Sequence, residues 1–75
     1  MKKLTKKEYY SIQEELDYVI DSENLADMKL QISIDQETTL YGRDENAEQF
    51  MVSSIGCEDV FYLGASLEEV LSYYK

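Results

Sequence analysis

Residues 28–43, MKLQISIDQETTLYGR, decide the class of fold. In the first half of this segment apolar side chains alternate with polar ones, a period typical of a β-strand with one buried face. The polar run 35–37 predicts a turn, and the β-branched and aromatic residues after it predict a second strand at 38–43. The alternating pairs are Met28-Lys29, Leu30-Gln31, Ile32-Ser33 and Ile34-Asp35.

Two further strands are predicted downstream of this hairpin. The apolar segments Phe50–Ile55 and Val60–Leu63 are separated by the turn-forming residues 56–59. Their alternation is less regular, so their register stays open.

Helical signals flank the strands on both sides. Thr5 with Glu8, and Ser66 with Glu69, have the spacing of capping boxes. Apolar residues at helical spacing follow each cap and predict one helix at 6–23 and a short one after Ser66. The two apolar faces consist of Tyr9, Ile12, Leu16, Val19 and Ile20, and of Leu67, Val70, Leu71 and Tyr74.

These elements predict one α+β domain over residues 1–75, with residues 1–4 frayed. The expected architecture has two layers: an N-terminal helix, an antiparallel sheet of three or four strands, and a short C-terminal helix. Both helices would cover one sheet face. The other face, with Lys29, Gln31 and Ser33, would be wet or covered by a partner.

Charge is the most distinctive feature of the composition. There are 16 acidic and 7 basic residues, for a net charge of −9. Four of the basic residues lie in the first seven positions, so from Glu8 onward 16 acidic residues face three basic ones, a net of −13. Such a surface repels nucleic acids and anionic lipids and attracts basic proteins. The alternative is that the acidity serves only solubility.

The sequence also restricts location and chemistry. One cysteine, Cys57, and no apolar leader or spanning segment predict a cytoplasmic protein that does not contact membranes. Histidine is absent, which excludes Ser-His and Cys-His mechanisms. No glycine-rich phosphate loop or calcium loop is complete, so no catalytic residue, cofactor or metal is predicted. An enzyme that uses carboxylates and a bound cofactor remains an alternative.

Carboxylates and a neighbouring tyrosine form the candidate partner-binding surface. On the predicted first helix, Glu14, Asp17 and Asp21 are three and four residues apart and would line one face. Seven tyrosines are more than a small core takes, and exposed tyrosines suit interfaces with basic partners. The full set is Glu14, Asp17, Tyr18, Asp21, Asp35, Glu37, Asp44, Glu45 and Glu48.

Two resemblances bear on function. Gly56-Cys57, followed by a strand and then by Gly64-Ala65-Ser66-Leu67-Glu68-Glu69-Val70-Leu71, resembles a short signature of HicB-type antitoxins. The proline-rich turn that precedes the glycine-cysteine pair in that family is missing. The resemblance implies a small, basic, RNA-cleaving toxin as partner. In size, charge and domain type the chain resembles acidic inhibitors from phages and mobile elements, including anti-CRISPR and other DNA-mimic proteins.

The leading hypothesis is a non-enzymatic inhibitor that mimics DNA and blocks a basic nucleic-acid-binding protein or nuclease. It would bind no nucleic acid itself. The alternatives are a HicB-like antitoxin and a self-associating structural or accessory protein that forms a homodimer through exposed tyrosines and a sheet edge.

Overall fold

Five strands and two short helices follow one another in a computed structural model that describes residues 1–74. The segment between the first helix and the strand that begins at Leu30 contains two single 3₁₀ turns, Gln13–Glu15 and Leu25–Asp27. The helices and strands are β1 (Lys2–Thr5), α1 (Lys6–Ser11), β2 (Leu30–Ser33), β3 (Thr38–Gly42), β4 (Gln49–Ser54), β5 (Val60–Leu63) and α2 (Leu67–Ser72).

The strands form one antiparallel sheet in the order β1-β5-β4-β3-β2. The α+β class is confirmed, but the expected count of three or four strands is wrong, because β1 adds a fifth. Residues 2–4, expected to be frayed, pair with β5, and Leu4 lies opposite Phe61. β1 was missed because Lys-Lys-Leu-Thr carries a single apolar side chain and so shows no alternation.

The two helices lie on opposite faces of the sheet, which corrects the two-layer prediction to three layers. Cross-strand neighbours point to the same side, and the register places Tyr41, Met51 and Phe61 on one face. The ring of Tyr9 from α1 stacks on Phe61, with centroids 4.0 Å apart. The opposite face carries Leu40, Phe50, Val52 and Tyr62 and packs against Val70 of α2. We call these the α1 face and the α2 face.

The first helix ends at Ser11, so the prediction of a helix over 6–23 is wrong. Residues 12–28 instead cross the α1 face as irregular chain that buries Ile20 and Met28. A helix about 10–12 Å wide covers only part of five strands spaced about 4.8 Å apart. A short helix followed by irregular chain covers more of that width, which favours an early helix end.

Both predicted capping boxes are confirmed. The Glu8 N–H donates to Thr5 Oγ1 and the Thr5 N–H donates to Glu8 Oε1, each over 3.2 Å. Ser66 and Glu69 make the same reciprocal pair at 3.2 and 3.4 Å. These caps satisfy backbone donors that would otherwise be unpaired at each helix start.

Gly42 allows β3 to approach the ring of Phe50 on the α2 face. A Cβ at this position would lie 2.8 Å from Cδ1 of Phe50 and 3.2 Å from Cδ2 of Leu30. Phe50 is fully buried, so its ring has little room to move away. Glycine is therefore required here for space.

Candidate functional site

Five of the nine predicted surface residues lie on connections at the two ends of the sheet. The β3–β4 connection carries Asp44, Glu45 and Glu48, whereas the β2–β3 turn carries Asp35 and Glu37. β3 separates these connections by about 16 Å, at roughly 3.3 Å for each of its five residues. We call the first the loop end and the second the turn end.

The predicted acidic stripe on the first helix does not exist. Glu14 lies in a 3₁₀ turn beyond the end of α1, and Asp17 and Asp21 lie in the irregular chain that follows. Asp21 has a local structural role, because its Oδ1 accepts hydrogen bonds from the N–H groups of Glu23 and Asn24, over 2.9 and 3.2 Å. Without helical geometry, the spacing of three and four residues no longer aligns the carboxylates.

Three of the predicted residues share a cleft at the loop end. Asp17 and Tyr18 reach it from the irregular chain, and Glu48 reaches it from the loop before β4. They line an open cleft of about 230 Å³. Its other lining residues are Arg43, Asn46, Ala47 and Gln49.

A second open cleft, of about 390 Å³, lies on the α2 side of the same loop. It shares Asn46, Ala47 and Glu48 with the first cleft and adds Glu45 together with Glu69 of α2. The two clefts thus make the loop a ridge with acidic groups on both sides. The loop-end surface consists of Asp17, Tyr18, Asp44, Glu45, Glu48 and Glu69.

Arg43 is the basic residue of the first cleft and is already engaged within the chain. Its Nε donates to Asp44 Oδ2 over 3.2 Å, and its guanidinium carbon lies 5.6 Å from the centre of the Tyr18 ring. The position of the ring is also restrained at its hydroxyl, which donates to the Met28 sulfur over 3.6 Å. A cation from a partner would therefore have to displace Arg43 before it could stack on Tyr18.

The remaining acidic groups of the loop end form no ion pair with another described residue. Within residues 1–74, Arg43 and Asp44 form the one ion pair at 4.0 Å or less. Asp17, Glu45 and Glu48 are exposed, and their carboxylates make no hydrogen bond to another described residue. This end of the molecule therefore presents uncompensated negative charge to solvent.

The structure buries or half-buries six of the seven tyrosines, more than the sequence led us to expect. Tyr9 and Tyr62 are buried, Tyr73 is 63% exposed, and Tyr10, Tyr18, Tyr41 and Tyr74 are half-buried. Burial raises the pKa values of Tyr9, Tyr10 and Tyr74 above their ordinary value. For Tyr74, the hydrogen bond to the Tyr62 hydroxyl, over 2.6 Å, raises the pKa further. Most of the tyrosine surface thus belongs to the core, and Tyr18 remains the aromatic group of the loop end.

Sequence reasoning missed Arg43 and Glu69. Only the β3 register places Arg43 beside the irregular chain, and only the position of α2 on the opposite face brings Glu69 next to the loop.

In the described part of the chain, no cluster of three or more acidic or cysteine side chains has the arrangement of a metal site. No helix among residues 1–74 combines the length and apolar character of a membrane span. Comparison with protein-family models, curated proteins and solved structures gave no significant match.

Proposed function

We propose that this protein is a non-enzymatic protein-binding module that uses the loop-end surface to occupy a basic, nucleic-acid-binding surface of another protein. A single observation carries the proposal: four carboxylates, those of Asp17, Glu45, Glu48 and Glu69, line two adjoining clefts. Arg43, the one cation among the described residues that line these clefts, is paired with the neighbouring Asp44. Proteins that hold nucleic acids present lysine and arginine side chains to successive phosphates. Carboxylates on a rigid loop can pair with the same cations.

The rigid placement of these groups supports an inhibitor of the DNA-mimic type. Asp44 Oδ1 accepts a hydrogen bond from the Asn46 N–H over 2.9 Å, and the Gly64 N–H donates to the Glu48 carbonyl over 2.8 Å. The loop is thereby tied to itself and to the end of β5. A loop that is already ordered loses little conformational entropy when it binds. Charge complementarity would also accelerate encounter with a basic partner.

The test reverses charge at one end of the sheet and compares it with the other end. The test variant carries Asp17→Lys, Glu45→Lys and Glu48→Lys. The control carries Glu23→Lys, Glu37→Lys and Glu58→Lys, which change net charge equally at exposed positions outside the loop end. Each immobilised protein is exposed to cell lysate at low salt and eluted with a salt gradient. The captured proteins are then bound to a labelled DNA or RNA oligonucleotide, and each variant is added as competitor.

The wild type and the control should capture a basic protein and displace its oligonucleotide, and capture should weaken as salt rises. The test variant should lose displacement by at least about tenfold, since each close charge pair contributes about 1.5 kcal/mol or more at such interfaces. Equal loss in both triple variants would mean that only total charge matters. Salt-insensitive capture would contradict the proposal outright.

One observation favours a second candidate, a HicB-like antitoxin. The resembling segment folds as a strand, β5, then Gly64 with a positive φ of 68°, and then α2 with a capping box at Ser66. This is the local order of elements that the resemblance implies. The two candidates differ in what is captured: a small RNA-cleaving protein whose activity the chain suppresses would favour the antitoxin.

The same capture experiment also tests Arg43, the basic residue of the first cleft, by measuring how its removal changes the affinity for the captured partner. Arg43→Gln removes the positive charge that covers Tyr18 and pairs with Asp44. If a basic partner binds at this cleft, this variant should bind more tightly, by about two- to fivefold for a surface pair worth up to about 1 kcal/mol. Unchanged affinity would place the partner elsewhere on the loop end.

A further inference from the structure

β2 leaves hydrogen-bonding groups of the backbone unpaired along one side of the sheet. It lies at the edge, with β3 on its inner side and no neighbour on its outer side among residues 1–74. The Ile34 N–H donates to the Thr38 carbonyl over 2.9 Å. Because paired residues alternate along an antiparallel ladder, Leu30 and Ile32 also bond to β3. Gln31 and Ser33 therefore direct their N–H and C=O groups outward.

The two edges of the sheet differ in how they are protected. An open edge invites pairing with another strand, and proteins block it with lysines, prolines or bulges. The β1 edge carries Lys2 and Lys3, so two such edges would repel each other. β2, with the sequence Leu-Gln-Ile-Ser, carries no charge and no proline. Of the two, β2 is the edge open to pairing.

We propose that two copies of this protein associate through antiparallel pairing of β2 with β2, with the two-fold axis at Ile32. In this register Lys29 of one copy lies opposite Asp35 of the other, twice per dimer. Gln31 lies opposite Ser33, whose backbone groups face outward in the same way. Ile32 meets Ile32, and Leu30 meets Ile34, so the half-buried isoleucines of the α2 face continue into the core of the second copy.

Other registers lose part of this complementarity. The outward backbone groups require odd-numbered residues to face odd-numbered residues, which restricts the axis to a residue position. With the axis at Gln31, Lys29 faces Ser33 and no charges pair. With the axis at Ser33, Leu30 faces the polar turn residue Gln36. Only the axis at Ile32 matches charges, outward backbone groups and apolar side chains together.

This association is independent of the proposed function, because β2 and the loop-end surface share no residue. Antiparallel pairing would place the two loop ends at opposite ends of a ten-stranded sheet. The loop-end triple variant should therefore dimerise like the wild type. A variant that cannot dimerise should still capture a basic partner, so failure of either proposal is visible separately.

The first test is sedimentation equilibrium of the full chain from about 10 to about 500 µM in about 150 mM salt, where screening limits repulsion between two acidic copies. The average mass should rise toward that of a dimer. Gln31→Pro removes an outward N–H that β3 does not use, so the mass should stay monomeric. Gln31→Ala keeps that N–H and should still dimerise. Thermal midpoints of both variants verify folding.

The second test establishes the register by cross-linking in a Cys57→Ser background. In the proposed pairing the two thiols introduced by Ile32→Cys would face each other at the close spacing of a non-hydrogen-bonded pair, which suits a disulfide. This variant should therefore form a covalent dimer at least about tenfold faster than Ser33→Cys, whose two copies are diagonal neighbours about 7–8 Å apart. A monomer at every concentration, or equal cross-linking of both variants, overturns the proposal.

Discussion

The two faces of the sheet are covered by different means. On the α2 face a capped helix packs onto a mainly aliphatic cluster built around Leu40, Phe50 and Val70. On the α1 face, a helix of six residues and an irregular segment cover a cluster rich in tyrosine and methionine. The difference shows that a sheet needs its apolar face covered, but does not need a regular element to cover it.

The irregular segment stays in place because tyrosine hydroxyls replace the missing helical hydrogen bonds. The Ile20 N–H donates to the Tyr9 hydroxyl, and the Tyr10 hydroxyl donates to the Ile20 carbonyl, each over 3.0 Å. The Tyr9 hydroxyl in turn donates to Gln49 Oε1 over 3.1 Å. Two consecutive tyrosines of α1 thus satisfy both backbone groups of a fully buried residue, as burial in a core requires.

The strongest way to break the comparison is to remove one large ring from each face. Phe50→Ala on the α2 face and Phe61→Ala on the α1 face should each cost about 3–5 kcal/mol, because both rings are fully buried. The free energy of unfolding of 75 residues is roughly 4–11 kcal/mol, so either variant should lose a large fraction of its stability. Urea titration measures this. A loss below about 1 kcal/mol for Phe61→Ala alone would show that the α1 face is not part of the core.

The hydroxyl of Tyr9 offers a sharper comparison. Tyr9→Phe keeps the ring on Phe61 but leaves the Ile20 N–H buried without its partner, which should cost about 1–3 kcal/mol. Tyr10→Phe is the matched control: the half-buried site lets water replace the lost hydroxyl, so the cost should be about 0.5–1.5 kcal/mol. Hydrogen exchange of the Ile20 amide should accelerate in Tyr9→Phe. Equal costs for both variants would contradict the structural role assigned to the Tyr9 hydroxyl.

Removing the caps compares the two helices directly. Thr5→Ala and Ser66→Ala should each lower the free energy of unfolding by about 1 kcal/mol, since each deletes one half of a capping box. The Ser66 variant should chiefly loosen α2, because Ser66 caps the start of this helix, which packs on the α2 face. Amide exchange in residues 67–72, compared between the two variants, checks this. Identical exchange would mean that α2 does not depend on its cap.

The smallest expected effect on stability at neutral pH comes from the ionisation of the tyrosines, and it grows as the pH rises above 10. Tyr9, Tyr10 and Tyr74 have pKa values raised by burial, so they stay protonated in the folded state when the unfolded chain already ionises near pH 10. Stability is therefore complete below pH 10 and declines above it. Urea midpoints at pH 8 and pH 11 measure the loss. Tyr74→Phe should make this decline shallower, and an unchanged decline would mean that Tyr74 does not contribute.

Much of the fold was accessible from local patterns. The alternation of residues 28–43 predicted the β2–β3 hairpin, and Val60–Leu63 was predicted with the bounds that β5 has. Both helix starts followed from capping boxes. The end of α1 could not be predicted, because neither glycine nor proline marks it. The apolar residues Ile12, Leu16 and Ile20 continue the helical spacing beyond Ser11. The Ile20 backbone bonds instead to the hydroxyls of Tyr10 and Tyr9, which are ten and eleven residues away and so leave no local signal in the sequence.

The candidate site, too, was predictable from the sequence only where its residues are close together along the chain. Asp44, Glu45 and Glu48 are neighbours in sequence, and any fold would keep them together. Asp17 and Tyr18 join them at the loop end, while Asp35 and Glu37 lie at the opposite end of β3. Charge density alone could not separate these two groups, because it does not say where the strands reverse.

The amino-acid sequence by itself determined the class of fold, the hairpin, the helix starts and the excess of negative charge, since each depends on residues a few positions apart. The tertiary structure alone decided that β1 pairs with β5, that the helices lie on opposite faces, and that Asp17 and Glu69 join the carboxylates of the β3–β4 loop. These outcomes depend on which distant segment offers an apolar surface or a hydrogen-bond partner. Local propensities of a fraction of a kcal/mol per residue are overruled by the burial of a single large side chain.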